Sequence, residues 1–118
     1  MKRDLNFGRR PAASGIANNM VVFLHGYGVD GQDLLGLADP LSQHMPDTVF
    51  VAPDAPERPA GSPFGYQWFP IPWLDGSSDE AAAQGLAQAA TDLDAFLDAR
   101  LQDEALTPDK LAVIGFSK

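Results

Sequence analysis

Two short stretches hold the residue types that acyl-transfer chemistry needs. The first is Gly115-Phe116-Ser117-Lys118, directly after an apolar run. A serine after a strand, with a glycine two positions before it, begins the Gly-x-Ser-x-Gly turn that lifts a nucleophilic hydroxyl out of a sheet. The serine oxygen would then attack a carbonyl carbon and form a covalent acyl intermediate. The competing reading is an ordinary serine that ends a buried strand. The second stretch is His25-Gly26-Tyr27-Gly28, also directly after an apolar run. A turn with two glycines lets backbone N–H groups point into a cavity, where they can hold the oxyanion of a tetrahedral intermediate. One such donor comes from this kind of loop and one from the residue after the nucleophile. The N–H groups of Tyr27 and Lys118 are therefore the candidate pair. A glycine-rich turn with no ligand is the alternative here.

His25 is not expected to be the general base. In this arrangement the base follows the nucleophile in the chain, and His25 precedes Ser117. It is expected to be a structural histidine, hydrogen-bonded inside its turn. His44 is expected on the surface of a helix, and Asp54 and Asp75 stand in the wrong order for the acid of a triad. Two histidines without any cysteine form no metal-ligand spacing, so no metal site is expected. Gly26-Tyr27-Gly28-Val29-Asp30-Gly31 also fits the Gly-x-Gly-x-x-Gly fingerprint of a dinucleotide-binding turn, with Asp47 as the acid for the ribose. That reading leaves the aromatic loop and Gly115-Phe116-Ser117 without a role.

The elements that would position these residues follow from hydrophobic patterning. Met20 to Leu24, Thr48 to Ala52 and Lys110 to Phe116 are short, partly β-branched apolar runs, as in strands buried on both faces. Leu34, Leu37, Ala38, Leu41 and Met45 recur at helical spacing, with Pro40 expected to kink or split that helix. Ser77 is a candidate N-cap for a long helix, with Glu80 three residues on and a stripe of Leu86, Ala90, Leu93, Leu97 and Leu101. Residues 1 to 18 are expected to be a lead-in with a short edge strand. Strand, helix, strand, helix, strand implies a parallel sheet with right-handed crossovers. Between the second strand and the long helix lies a proline-rich segment, residues 53 to 76, that holds Phe64, Tyr66, Trp68, Phe69 and Trp73. So many aromatic residues imply an ordered loop, either a cover over core or a wall of a substrate pocket.

Composition narrows the function classes. The chain has 118 residues, room for one domain at most. Its net charge of −8 argues against nucleic acid or an anionic membrane as partner. Without cysteine there is no disulfide or thiolate site. No run is long enough to span a membrane, and no apolar leader follows the N-terminus, so a cytoplasmic protein is expected.

Taken in order, several stretches resemble the phospholipase/carboxylesterase family of α/β-hydrolases, which includes the acyl-protein thioesterases. They are Phe23-Leu24-His25-Gly26-Tyr27-Gly28 with Asp30-Gly31, Pro53-Asp54-Ala55-Pro56 with Arg58-Pro59, Trp68-Phe69, and Gly115-Phe116-Ser117. The resemblance implies an α/β-hydrolase fold with a mostly parallel sheet and flanking helices, here its N-terminal half. It implies hydrolysis of small carboxylic esters or thioesters without a cofactor. It makes Ser117 the nucleophile, places Tyr27 N–H in the oxyanion hole and sets Trp68 and Phe69 beside the acyl group. Lys118 stands where the family carries Gln, although its backbone N–H would serve equally. The second elbow glycine and the triad Asp and His would follow Ser117. Residues 1 to 118 are accordingly expected to be a partial domain, inactive alone, whose third strand exposes an apolar edge open to self-association.

Overall fold

The computed structural model describes residues 2–59 and 65–116. Four strands form one sheet in the order β1-β3-β2-β4. They are β1 (Phe7–Arg10), β2 (Asn19–Leu24), β3 (Thr48–Pro53) and β4 (Leu111–Gly115). β2 is parallel to both β3 and β4, and β1 runs antiparallel along β3. The expected parallel sheet is therefore present, with the lead-in supplying the antiparallel edge strand. Every residue of β3 is buried, as are Met20 to Phe23 of β2. This explains why both read as unbroken apolar runs rather than as alternating ones.

Helices cover both faces. α1 (Gly31–Leu35) and α2 (Ala38–Ser42) connect β2 to β3. They pack on the face that carries Val21, Phe23, Phe50 and Ala52. α4 (Asp79–Asp103) connects β3 to β4, after the single turn α3 (Pro72–Asp75). Phe96 and Leu101 of α4 pack on the opposite face, against Met20, Val22, Val49 and Val51. The two crossovers run in opposite directions across the sheet and lie on opposite faces, so they share one hand. Such a pair is what one-handed crossovers require.

Three expectations are corrected in detail. The helix around Pro40 is two short helices, and the break falls at Gly36-Leu37 rather than at the proline. Pro40 lies in the first turn of α2, where its missing N–H leaves no intrahelical bond unmade. The cap of α4 is Ser78, not Ser77; the Ser78 side chain accepts from Ala81 N–H. Ser77 is held back by the exit from α3, where Gly76 is left-handed and Asp75 Oδ1 accepts the Ser77 N–H at 2.9 Å. The buried stripe of α4 contains Ala89, Asp92, Phe96 and Leu101, whereas Leu86 and Ala90 are exposed.

Asp92 is a fully buried carboxylate within that stripe. It accepts from the Arg3 N–H at 2.6 Å, from Arg3 Nε at 2.9 Å and from Gln88 Nε2 at 2.8 Å. Burial pushes its carboxyl up, but these hydrogen bonds and the Arg3 charge outweigh that and hold it below the ordinary carboxylate range. The contact ties the N-terminal lead-in to α4.

Candidate active site

The carboxyl ends of β2 and β4 lie side by side, with Leu24 opposite Gly115. The pairing runs one residue further, where Phe116 N–H donates to Leu24 O at 2.9 Å. Beyond these ends opens a cleft of about 600 Å³. Its walls include Tyr27 and Phe116 from the strand ends, Trp68 and Phe69 from the aromatic loop, and Leu86 and Leu93 from α4. No acidic side chain, lysine or arginine lines it among the described residues. The exposure of Leu86 and Ala90 is thereby explained: they face the cleft rather than the core.

The turn after β2 is fixed from several sides. His25 is buried, and both of its ring nitrogens are engaged. Nε2 accepts from Ala55 N–H at 2.9 Å, which leaves the ring proton on Nδ1, facing Gly26 O at 2.7 Å. The expected structural histidine is thus present, with a longer reach than its own turn, since it also secures the segment after β3. Gly28 has a φ of 80° and Gly65 one of 78°, and the two glycines are in contact. A Cβ on Gly65 would sit 2.3 Å from Gly28 O. Gly28 N–H donates to Tyr66 O, and Tyr66 N–H donates to Val29 O. These bonds zip the glycine turn to the aromatic loop. Gly31 starts α1 against β3, so close that a Cβ would lie 2.5 Å from Ala52 O, and its N–H donates to Asp54 Oδ1. Tyr27 N–H has no partner among the described residues.

The aromatic loop is ordered where it meets the cleft. Trp68 Nε1 donates to His25 O at 2.8 Å, and Arg58 stacks on the Tyr66 ring at 4.5 Å. Trp73 departs from the expected packing and is 82% exposed on α3. Phe64 lies outside the described residues, and so do Ser117 and Lys118. The chain reaches the cleft at Phe116, the residue immediately before Ser117. Asp54 and Asp75 hold backbone N–H groups of Gly31, Ile71 and Ser77, which are structural tasks. His44 is exposed, as expected. Asp47 stands just before β3, at the opposite end of the sheet from the turn after β2. It is therefore about 20 Å from Gly26–Gly31 along a six-residue strand, too far to serve a nucleotide there. No group of three potential ligands for a metal ion occurs among the described residues.

Asp92 does not stand out in the sequence. Its signal is a carboxylate three residues after Ala89 and four before Phe96, on the apolar face.

Known proteins share this fold. The chain superposes on esterase PE8 with a TM-score of 0.87 at 42% identity, covering 97% of this chain and 53% of that one. It superposes on acyl-protein thioesterase 2 of Zea mays with a TM-score of 0.53 at 26% identity, over 95% and 46% of the two chains. A phospholipase/carboxylesterase from Dyadobacter fermentans shares the fold, with a TM-score of 0.66 at 17% identity over 98% and 49%. Acyl-protein thioesterase 1 of Cryptococcus neoformans is 29% identical over 103 residues, 83% of this chain and 43% of that protein. The chain thus spans about half the length of the relatives it matches. The phospholipase/carboxylesterase family pattern matches residues 12–118, so the glycine turn, the aromatic loop and the Gly115-Phe116-Ser117 end all fall within it. On that match, the chain belongs to the phospholipase/carboxylesterase family of α/β-hydrolases.

Proposed function

We propose that the protein is a serine esterase acting on carboxylic esters or thioesters with an uncharged, apolar acyl portion. The observation that carries this reading is the cleft at the carboxyl ends of β2 and β4, which no Asp, Glu, Lys or Arg lines among the described residues and which the residue before Ser117 enters. Open parallel sheets bind their ligands at that end. Ser117 Oγ attacks the carbonyl carbon while a base takes its proton. The N–H groups of Tyr27 and Lys118 hold the oxyanion. Collapse of the intermediate expels the alcohol or thiol, and water then releases the acyl group.

His25 is not that base, because both of its nitrogens hold backbone groups. The order of the triad in this fold puts the acid and the histidine after the serine, and we assign both to positions beyond residue 118. A fluorophosphonate probe tests the reading. We expect labelling of the wild type and none of Ser117→Ala; labelling that persists in the variant would sink the assignment.

A second reading, compatible with the first, concerns β4. Val113 and Ile114 are 44% and 41% exposed, and β4 pairs with β2 along one edge only among the described residues. An apolar edge of this kind accepts another strand. Residues 1–118 produced alone should elute above monomer size on gel filtration, and Ile114→Lys should move them toward the monomer. A monomeric wild-type segment refutes this second reading.

A further inference from the structure

Gly85 is a glycine without a local reason. It sits inside α4, in the run Ala81-Ala82-Ala83-Gln84-Gly85-Leu86-Ala87, with no left-handed φ. Glycine in a helix interior is markedly less favourable than alanine, and alanine surrounds it. The tertiary contact supplies the reason. A Cβ on Gly85 would lie 2.8 Å from Phe69 Cβ, 2.8 Å from Pro70 Cδ and 3.5 Å from Phe69 Cα. These atoms belong to the loop backbone or to groups fixed rigidly to it, so no rotamer change can relieve the clash. The whole segment would have to move off α4.

That segment is a wall of the cleft. Phe69 and Ile71 line it from the loop, while Leu86, Ala89 and Ala90 line it from the helix. Its position is set from two sides. Trp68, one residue before, is pinned to His25 O. Phe69 and Pro70 rest on the bare backbone of Gly85. Side chains that would be longer than a methyl group are also missing from Ala89 and Ala90, one turn further along the same cleft.

The geometry points to Gly85 as a positioning residue that sets the shape of the acyl cleft, and through it the preferred acyl chain length. It touches no reacting atom. Its absent side chain decides how closely the Phe69 wall approaches α4. The inference rests on the esterase reading for its substrate class, but not for the shape of the cleft.

The test compares kcat/KM for p-nitrophenyl octanoate and p-nitrophenyl acetate in the full-length wild-type protein and its Gly85→Ala variant. Because single methylenes in an apolar pocket discriminate by about tenfold or more, the octanoate-to-acetate ratio should change by about tenfold, with the acetate rate held within about threefold. A ratio that changes by less than about threefold overturns the proposal. Pro70→Ala removes the Cδ on the other side of the contact. Combined with Gly85→Ala it should return the ratio only part of the way, since the Phe69 Cβ at 2.8 Å remains; a double variant with a ratio equal to that of the wild type would show that the Phe69 wall is not what Gly85 positions, and overturns the proposal. Pro70→Ala alone loosens the same contact from the loop side and should shift the ratio if Gly85→Ala does not fold. Calorimetric binding of 2-decanone and 2-butanone, carbonyl compounds with no leaving group, separates the two readings. Were the wild type to hydrolyse no ester, the esterase reading would fail. The ketone affinity ratio would still have to differ between wild type and Gly85→Ala for the role of Gly85 to stand.

Discussion

The indole Nε1 of Trp68 donates to the backbone carbonyl of His25 at 2.8 Å, and the two rings lie 5.5 Å apart between centroids. One hydrogen bond thus joins the wall of the cleft to the turn that carries Tyr27. Removing only the donor tests this link. Trp68→Phe keeps an aromatic ring and loses the N–H. A hydrogen bond of this kind contributes about 1 kcal/mol, and a loosened wall should lower kcat/KM for apolar esters by about fivefold. Urea titration and steady-state kinetics measure the two effects. An unchanged midpoint together with unchanged kinetics would show that the bond is idle.

His25→Ala should do more harm than its size suggests. The ring serves Ala55 N–H on one side, in a buried setting, and Gly26 O on the other, in a part-buried one. Each backbone group left unpaired costs about 1–3 kcal/mol. We expect a loss of at least about 2 kcal/mol in chemical denaturation. Retention of wild-type stability would mean that water replaces the ring.

The Asp92 carboxylate should govern part of the acid sensitivity. Its pKa is depressed in the folded protein by the Arg3 and Gln88 hydrogen bonds, against the opposing effect of burial. The unfolded chain therefore takes up the proton at higher pH than the folded one. Its contribution is complete above the ordinary carboxylate value of about 3.9 and is lost as the pH falls through the lower folded value. Asp92→Asn should cost about 2 kcal/mol at neutral pH, less than the roughly 3–5 kcal/mol of a fully buried broken pair because Arg3 is partly exposed. The difference from wild type should shrink below about pH 4. Thermal melts across pH 3 to 7 give the comparison, and a pH-independent difference would contradict it.

Gly31→Ala should destabilise without touching the cleft. The new Cβ would meet Ala52 O at 2.5 Å, a backbone atom inside the sheet. Overpacking of this kind costs about 1–3 kcal/mol. A melting temperature equal to that of the wild type would show that α1 shifts freely.

The strands were legible in the sequence because β2 and β3 are buried on both faces, and burial on both faces leaves an unbroken apolar run. The glycine turn was legible because only glycine tolerates the φ of 80° at Gly28. Helix boundaries were less so. The choice between Ser77 and Ser78 as cap depended on Gly76 and Asp75, which end the preceding turn. The stripe on α4 was misplaced because two surfaces, core and cleft, both take apolar residues, and helical spacing alone does not tell them apart.

By itself the sequence determined the order of the elements and the turn at Gly26–Gly28, because each depends on residues near one another in the chain. Only the tertiary structure decided what those residues meet. His25 holds Ala55, Asp92 holds Arg3, Trp68 reaches back to His25, and Gly85 makes room for Phe69 and Pro70. Each of these contacts joins elements far apart in the chain, and hydrophobic periodicity, a property of neighbouring residues, carries no record of them.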